Sequence, residues 1–186
     1  MCEHCGDERI IHLPGKNLLG KNSVFDIQNA VIKVFDPFEY AKKNAEVYLR
    51  VAKEFASLVK YDGTRVGCVL VKNGNMISHG INGYPKGIDD VKVNTMDRKD
   101  RLQLAIHAEE NALLKLMETG QSPENAVAYV THHPCAKCAA RLYSVGIRVV
   151  VMPKQDQEFM DKWIEPVSHI YKTLTGMVFI TVDLEL

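Results

Sequence analysis

The chain contains 186 residues, of which 46% are hydrophobic and 25% are charged. This length and composition are typical of a single globular domain with a substantial core, and they exclude a disordered or fibrous chain. Its 23 basic side chains balance 23 acidic ones, so the formal net charge is zero. Proteins that bind long DNA or RNA usually carry an excess of positive charge. We therefore expect no long nucleic acid among the partners of this chain.

No apolar stretch approaches the roughly 18 residues of a membrane-spanning helix, and no signal-peptide core follows Met1. These observations predict a soluble cytoplasmic protein that has no membrane partner. The cysteines are odd in number and lack a secretory context, so we expect metal binding or burial rather than disulfide bonds. They are Cys2, Cys5, Cys68, Cys135 and Cys138.

The chain is predicted to divide into an N-terminal extension, residues 1–35, and a main domain, residues 36–186. Gly and Asn punctuate the extension, which we expect to be a small metal-binding or oligomerisation appendage. The main domain opens at Asp36-Pro37, which predicts a helix start. Apolar residues then recur at alternating steps of four and three, the pattern of one helix face, and the helix is predicted to end near Gly63. These residues are Ala41, Ala45, Tyr48, Ala52, Phe55 and Val59.

The next two apolar segments are predicted to form a β-hairpin. Val66–Val71 and Met76–Ile81 are rich in β-branched residues. Asn73-Gly74 between them is a strong hairpin signal, because both residues tolerate positive φ. A polar loop over residues 82–98 is then predicted to lead into a helix that stops near Gly120.

Helices and strands alternate in the rest of the chain, which indicates a layered α/β sandwich. Trp163 is expected either on the core face of the last helix or in a subunit interface. The predicted elements are a strand at 126–131, a helix at 135–145, a strand at 147–152, a helix at 157–174 and a strand at 177–182.

Two short motifs, His107-Ala108-Glu109 and Pro134-Cys135-Ala136-Lys137-Cys138, stand at predicted helix starts. A Cys-x-x-Cys pair at the beginning of a helix places two sulfur atoms on one turn, close enough to share a zinc ion. His107 is the expected third ligand. Three N and S ligands leave a tetrahedral zinc with one open position, as in catalytic sites. Helix N-termini also favour thiolate and carboxylate anions.

Glu109 is expected to reach the water in that open position without binding the metal. Zinc lowers the pKa of bound water from about 16 to about 7, so hydroxide becomes available at neutral pH. Hydroxide would add to a ring carbon that bears an amino group, while Glu109 carries the proton to a ring nitrogen. Together the two motifs are the signature of zinc nucleobase deaminases. His132 and His133 are expected to line the pocket, because a fourth protein ligand would close the site.

Beyond these motifs, the chain resembles the deoxycytidylate (dCMP) deaminase family of the zinc-dependent cytidine deaminase superfamily. The chain lacks the acidic-Pro-Thr sequence that precedes His-Ala-Glu in tRNA adenosine deaminases. It also lacks the Trp-Ser sequence that precedes Pro-Cys in polynucleotide cytidine deaminases. Both absences favour a free nucleotide as substrate. Ile81 stands where the family commonly has Tyr, and Cys68, expected to be a small buried residue, replaces Ala. The resemblance spans about residues 47–151 and includes Val66–Val71, Gly80–Gly87, His107–Ala112 and Tyr129–Thr131.

The resemblance implies a three-layer α/β/α sandwich with a central mixed sheet of about five strands. It also implies an enzyme that hydrolyses dCMP to dUMP and ammonia. By the same analogy, Asn82 would hydrogen-bond the sugar, the Ala108 amide would hold the cytosine carbonyl oxygen, and the His133 carbonyl would receive the leaving amine. A 5′-phosphate needs cationic or amide donors. The candidates are Lys86, Arg98, Lys99, Arg101 and Arg141.

The resemblance further implies a homo-oligomer, either a hexamer or a dimer, and regulation by dCTP and dTTP together with Mg²⁺. In the extension, Cys2, Cys5 and His12 are candidate ligands of a second, structural zinc; the alternative is a flexible terminus. Two other functions stay open on the sequence. One is a deaminase of another small cytosine nucleoside or nucleotide, such as cytidine, dCTP or a modified dCMP. The other is a non-catalytic binding module that keeps zinc as a scaffold.

Overall fold

The computed structural model describes residues 37–60 and 63–186. The extension predicted for residues 1–35, with Cys2, Cys5 and His12, lies outside these residues, so the second zinc stays a prediction. The described residues form five strands: β1 (Gly67–Lys72), β2 (Asn75–Ile81), β3 (Val127–Val130), β4 (Val149–Pro153) and β5 (Val178–Val182). They make one mixed sheet in the order β2-β1-β3-β4-β5. Strand β1 is antiparallel to β2 and β3, whereas β3, β4 and β5 are parallel.

A two-residue turn joins β1 to β2, and helices lie between the other consecutive strands. Among the described residues, none of these helices is long and apolar enough to cross a membrane. A π-helical turn and a 3₁₀ turn separate the last two α-helices. The helical elements are α1 (Pro37–Lys43), α2 (Ala45–Ala56), α3 (Asp90–Asn94), α4 (Arg98–Leu104), α5 (Ala108–Thr119), α6 (Ala136–Ser144), α7 (Gln157–Phe159), the π turn (Met160–Ile164), the 3₁₀ turn (Glu165–Val167) and α8 (Ser168–Thr173).

Two apolar layers cover the two faces of the sheet. Successive residues of a strand point to opposite faces. In β1, Cys68 and Leu70 therefore pack with α5 and α6, whereas Val69 and Val71 pack with α1 and α2. Cys68 is completely buried, as expected for a small apolar residue. This arrangement confirms the predicted three-layer α/β/α sandwich with a five-stranded mixed sheet.

The single long helix predicted after Asp36 is wrong, because the chain forms two helices there. Asn44 separates α1 from α2, and its side-chain amide donates to the Tyr40 carbonyl at 2.9 Å. Such a local side-chain bond competes with regular helical pairing. Helix α2 also ends earlier than predicted, at Ala56 instead of near Gly63.

The segment predicted as a loop over residues 82–98 contains α3 and leads into α4. The helix expected to follow it is also divided, because an extended stretch separates α4 from α5. In that stretch Ile106 pairs with Gly83 in an isolated bridge, with N-to-O distances of 2.8 and 3.0 Å. The bridge joins the two ends of the segment 83–106, which contains α3 and α4 and which we call the α3–α4 flap.

The continuous helix predicted over residues 157–174 is wrong as well. Pro166 lies inside this stretch and has no amide hydrogen to donate, which disfavours a regular helix there. The chain forms the π turn and the 3₁₀ turn instead. Trp163 in the π turn is 56% exposed and its neighbour Ile164 is buried, so the core position expected for Trp163 is also wrong.

A glycine in β2 permits helix α5 to lie very close to the sheet. A Cβ atom added at Gly80 would overlap the Ala108 carbonyl oxygen and the Ala112 amide nitrogen. These are backbone atoms of a packed helix, so they cannot move aside as a flexible side chain would. Gly80 therefore determines how deeply the first turns of α5 sit on the sheet.

Replacing Gly80 is expected to destabilise the fold, because α5 would have to move away from the strand. We expect Gly80→Ala to lower the free energy of unfolding by about 1–3 kcal/mol or more, the range seen for overpacked interiors. Gly83→Ala is the matched control, since no atom lies within 4 Å of an added Cβ there. Chemical denaturation measures both variants. Equal stability of the two variants would contradict this account.

Candidate active site

Three potential metal donors come together at one edge of the sheet. His107 immediately precedes α5, Cys135 immediately precedes α6, and Cys138 lies in the first turn of α6. Their ligand atoms all lie within 4.8 Å of one another, and the part of the chain that the structure describes has no second group of this kind. The His107 Nδ1 atom is 3.6 Å from Cys135 Sγ and 3.4 Å from Cys138 Sγ.

The order of the strands explains why residues far apart in sequence meet here. In β1, Cys68 pairs with Gly80 of β2 on one side and with Val130 of β3 on the other. Because β1 is antiparallel to both neighbours, β2 and β3 end at the same edge of the sheet. Helix α5 follows β2 through the α3–α4 flap, and α6 follows β3 directly. His107 and Cys135 therefore stand side by side.

The three donors fit a zinc ion. Tetrahedral zinc binds histidine nitrogen at about 2.0–2.1 Å and cysteine sulfur at about 2.3 Å, which separates the nitrogen from each sulfur by about 3.5 Å. The two nitrogen-to-sulfur distances of 3.4 and 3.6 Å agree with this value. One imidazole and two sulfurs also form a donor set that zinc prefers, with a fourth position left for a non-protein ligand.

Hydrogen bonds among the three donors prepare one sulfur for metal binding. Hydrogen bonds from the Cys138 thiol and from His107 lower the pKa of Cys135 to about 3. The hydrogen bond to Cys135, followed by burial, raises the pKa of Cys138. Hydrogen bonding to Cys135 also raises the pKa of His107. These hydrogen bonds therefore favour the thiolate form of Cys135, and the thiolate is the metal-binding form of cysteine.

Glu109 lies beside these donors but is not one of the three that converge. It belongs to the first turn of α5, is 3% exposed, and lines the same cavity as His107. No Lys or Arg of the described residues forms an ion pair with it. Burial raises the pKa of its carboxyl group. A buried carboxyl group without a Lys or Arg partner is costly, and such groups are typical of functional sites.

A cavity of about 550 Å³ opens in front of the donors. Cys138 does not line it, since its side chain is buried behind the cavity wall. The position expected for His132 and His133 is confirmed, because both line the cavity. The site residues predicted from the sequence that line it are Asn82, His107, Ala108, Glu109, His133 and Cys135.

Asn82 is at the cavity wall, where its side chain connects two backbone segments. Its Oδ1 accepts a hydrogen bond from the Val66 amide at 2.7 Å, and its Nδ2 donates to the Thr64 carbonyl at 2.9 Å. These bonds connect the segment just before β1 to the residue just after β2. Its contact with a sugar stays a prediction.

Residues near the C-terminus support the segment that carries Cys135. The Tyr171 hydroxyl donates to the Pro134 carbonyl at 2.8 Å, and His133 Nδ1 lies 2.9 Å from the same oxygen. The His133 ring also stacks on Phe179 at a centroid distance of 5.3 Å. Neither Tyr171 nor Phe179 was predicted as a site residue, because no local sequence pattern connects them to a motif about 40 residues earlier.

The structure separates the five cationic candidates for phosphate binding. Lys86 forms an ion pair with Glu118 at 3.6 Å, and Arg141 forms one with Glu110 at 3.2 Å. Neither of these cations lines the cavity, and Lys99 does not line it either. The two cationic candidates that do are Arg98 and Arg101. Phe159, which was not predicted as a site residue, lines the cavity together with Trp163.

The comparison with protein families agrees with the fold and the donor group. The family model of the cytidine and deoxycytidylate deaminase zinc-binding region matches residues 42–154, more than half of the chain. The chain therefore belongs to the cytidine and deoxycytidylate deaminase family, whose members are hydrolases. Within this family, the relatives described next confirm the predicted resemblance to the deoxycytidylate deaminases.

The chain is 35% identical over 126 residues to an uncharacterized deaminase encoded in the luxG 3′ region of Aliivibrio fischeri; the match covers 68% of this chain and 83% of that one. It is 36% identical over 112 residues to a probable deoxycytidylate deaminase of Caenorhabditis elegans, with 58% and 56% covered. This chain thus spans about half the length of the nematode relative.

The crystal structure of dCMP deaminase from cyanophage S-TIM5 in apo form has the same fold, with a TM-score of 0.58 and 24% sequence identity. The match covers 75% of this chain and 98% of the cyanophage chain.

Removing the Tyr171 hydroxyl is expected to loosen the segment before Cys135. Tyr171→Phe deletes one hydrogen bond to the Pro134 carbonyl, which we expect to lower the free energy of unfolding by about 0.5–1.5 kcal/mol. Zinc should also be lost faster to a competing chelator. Tyr143→Phe is the control, since Tyr143 packs under Arg148 through its ring. If the two variants lose zinc at the same rate, Tyr171 does not position this segment.

Proposed function

We propose that the chain catalyses the hydrolysis of dCMP to dUMP and ammonia. The observation that carries this proposal is the convergence of His107, Cys135 and Cys138 at a cavity that also contains the buried carboxyl group of Glu109. The relatives named as deoxycytidylate deaminases support dCMP as the substrate. A cavity of about 550 Å³ lies within the size range of small-molecule sites, roughly 300–1,000 Å³.

His107, Cys135 and Cys138 are the proposed ligands of a single catalytic zinc. A zinc ion held there supplies Lewis-acid chemistry that makes a hydroxide nucleophile available at neutral pH. The protein leaves one coordination position open by providing three ligands. His132 and His133 belong to the cavity wall in this proposal, where their rings exclude bulk water from the reacting ring.

Glu109 is the proposed proton carrier. Its carboxylate accepts a proton from the attacking water, delivers it to the ring nitrogen next to the amino-bearing carbon, and then assists the departure of ammonia. Burial raises the pKa of the Glu109 carboxyl, which favours transient protonation. A general base works best when its pKa lies near the working pH.

Backbone groups next to the ligands are proposed to orient the base. The amide of Ala108 stands at the first position of α5, where a helix has no internal acceptor for it, so it can donate to the cytosine carbonyl oxygen. The carbonyl of His133 is the proposed acceptor for the leaving amine. The proposed sugar contact is Asn82, whose position at the cavity wall supports this role.

Two alternatives use the same donors. A deaminase of cytidine, dCTP or a modified dCMP would need the same metal and the same carboxyl group. A non-catalytic module that keeps zinc as a scaffold would not need Glu109. The burial of that carboxyl group favours an enzyme, because a buried ionisable group without a Lys or Arg partner costs stability, and such groups are typical of functional sites.

The domain boundaries and the assembly are proposed on the family resemblance. Residues 36–186 would form the deaminase domain, and residues 1–35 an appendage that holds a second zinc or contributes to oligomerisation. The proposed assembly is a homo-oligomer, with dCTP and dTTP acting together with Mg²⁺ as regulators.

Replacement of Glu109 tests the proposed mechanism. Glu109→Gln keeps the shape of the side chain but cannot accept the proton, so we expect kcat for dCMP to fall by at least about 10²–10⁴-fold while zinc is retained. Glu110→Gln is the matched control, because its side chain faces Arg141 instead of the cavity. Ammonia release and zinc content measure both variants.

The contradictory outcome is a Glu109→Gln protein that contains zinc and turns over dCMP at the wild-type rate. In that case Glu109 would not be the proton carrier. A wild-type protein that contains zinc but releases no ammonia from any cytosine nucleoside or nucleotide would instead support the scaffold alternative.

A further inference from the structure

Helix α4 presents a row of side chains to the cavity. Arg98, Arg101 and Leu102 line it, and so does Ala105 immediately after the helix. The spacing of three and four residues from Arg98 places the first three side chains on one face of the helix. No residue of α4 is buried, so this face does not pack into the core. The helix covers the cavity instead, and it places two guanidinium groups there.

The guanidinium group of Arg101 has an unused hydrogen-bond donor. Its Nε atom is buried and has no hydrogen-bond partner among the described residues. A buried donor without an acceptor costs free energy, and native proteins rarely leave one unpaired. Neither Arg101 nor Arg98 forms an ion pair with another described residue. An anionic ligand in the cavity would accept a hydrogen bond from the Arg101 Nε atom and would balance the charge of both arginines.

The position of these arginines is fixed relative to the metal donors. The α3–α4 flap is closed at its base by the pair of hydrogen bonds between Gly83 and Ile106. Ile106 immediately precedes His107. Only Ala105 and Ile106 separate the end of α4 from His107. Because Arg98, Arg101 and His107 all line the same cavity, a single ligand in it can contact both the arginines and the metal site.

We propose that Arg98 and Arg101 bind the 5′-phosphate of the substrate and thereby select a nucleotide over a nucleoside. This inference rests on the proposed deamination of a cytosine nucleotide. Arg98 and Arg101 are the only Lys or Arg side chains among the described residues that line the cavity. The planar guanidinium group matches phosphate oxygens with two parallel donors. Arg101, whose Nε is already desolvated, is the main specificity determinant.

The test is the preference for dCMP over deoxycytidine, measured as the ratio of their kcat/KM values. Arg101→Ala removes charge-assisted hydrogen bonds, so the ratio should fall roughly 10- to 100-fold. Arg98→Ala should lower the ratio by a smaller factor. Lys99→Ala is the matched control, because it removes a cation from the same helix at a position that does not line the cavity. All variants are compared at equal zinc content.

A second measurement does not require turnover. The affinity of the zinc-loaded protein for dUMP and for deoxyuridine, measured by calorimetry, should show the same loss of phosphate preference in Arg101→Ala. Arg101→Lys keeps the charge but loses the two-pronged geometry, so it should recover only part of the preference. The affinity for dCTP, measured in the same way, shows whether the site also accepts a triphosphate.

The proposal is overturned if Arg101→Ala leaves the dUMP-to-deoxyuridine preference unchanged, or if it weakens both ligands equally, as a structural role would. It is also overturned if Lys99→Ala has the same effect, or if Arg101→Ala weakens dCTP binding but not dUMP binding. These outcomes are distinct from failure of the proposed function. If no cytosine compound is deaminated but dUMP binding depends on Arg101, the proposed phosphate site is supported and the proposed reaction is contradicted.

Discussion

The close contact between helix α5 and strand β2 is the constraint on which the site depends. Gly80 has no side chain, so the backbone of α5 at Ala108 and Ala112 lies directly against the strand. Because His107 immediately precedes this helix, the depth of α5 determines where the imidazole stands. The resulting distances from Nδ1 to the two sulfurs, 3.4 and 3.6 Å, are those that a tetrahedral zinc requires.

This geometry brings chemically different groups into one cavity. The N-termini of α5 and α6 favour negative charge, which suits both the Cys135 thiolate and the Glu109 carboxylate. Helix α4 and the π turn build other parts of the wall, where Arg101 and Trp163 contact the same space. The turn at Met160–Ile164 and the support from Tyr171 come from sequence beyond residues 42–154, the part that the family model matches. The C-terminal segment thus completes a site whose donors lie in the family region.

The sequence was sufficient for the strands, the layers and the metal donors. Apolar runs rich in β-branched residues predicted the strands of the hairpin, and the His-x-Glu and Pro-Cys-x-x-Cys motifs predicted the donors His107, Cys135 and Cys138. The division between α4 and α5 was not predicted, and no apolar periodicity marks α4 itself, because this helix faces a cavity instead of the core. The choice of Arg101 among five cations, and the contact between Tyr171 and Pro134, depend on long-range packing that no local pattern encodes.

X-ray absorption of the zinc-loaded protein at the zinc edge tests the central claim most directly. Cys2 and Cys5 would first be replaced by Ser, so that zinc bound by the extension does not contribute. We predict two sulfur ligands at about 2.3 Å, one histidine nitrogen at about 2.0–2.1 Å, and one light non-protein ligand in the fourth position. Coordination by three or four sulfurs, or a folded protein that binds no zinc, would contradict the account.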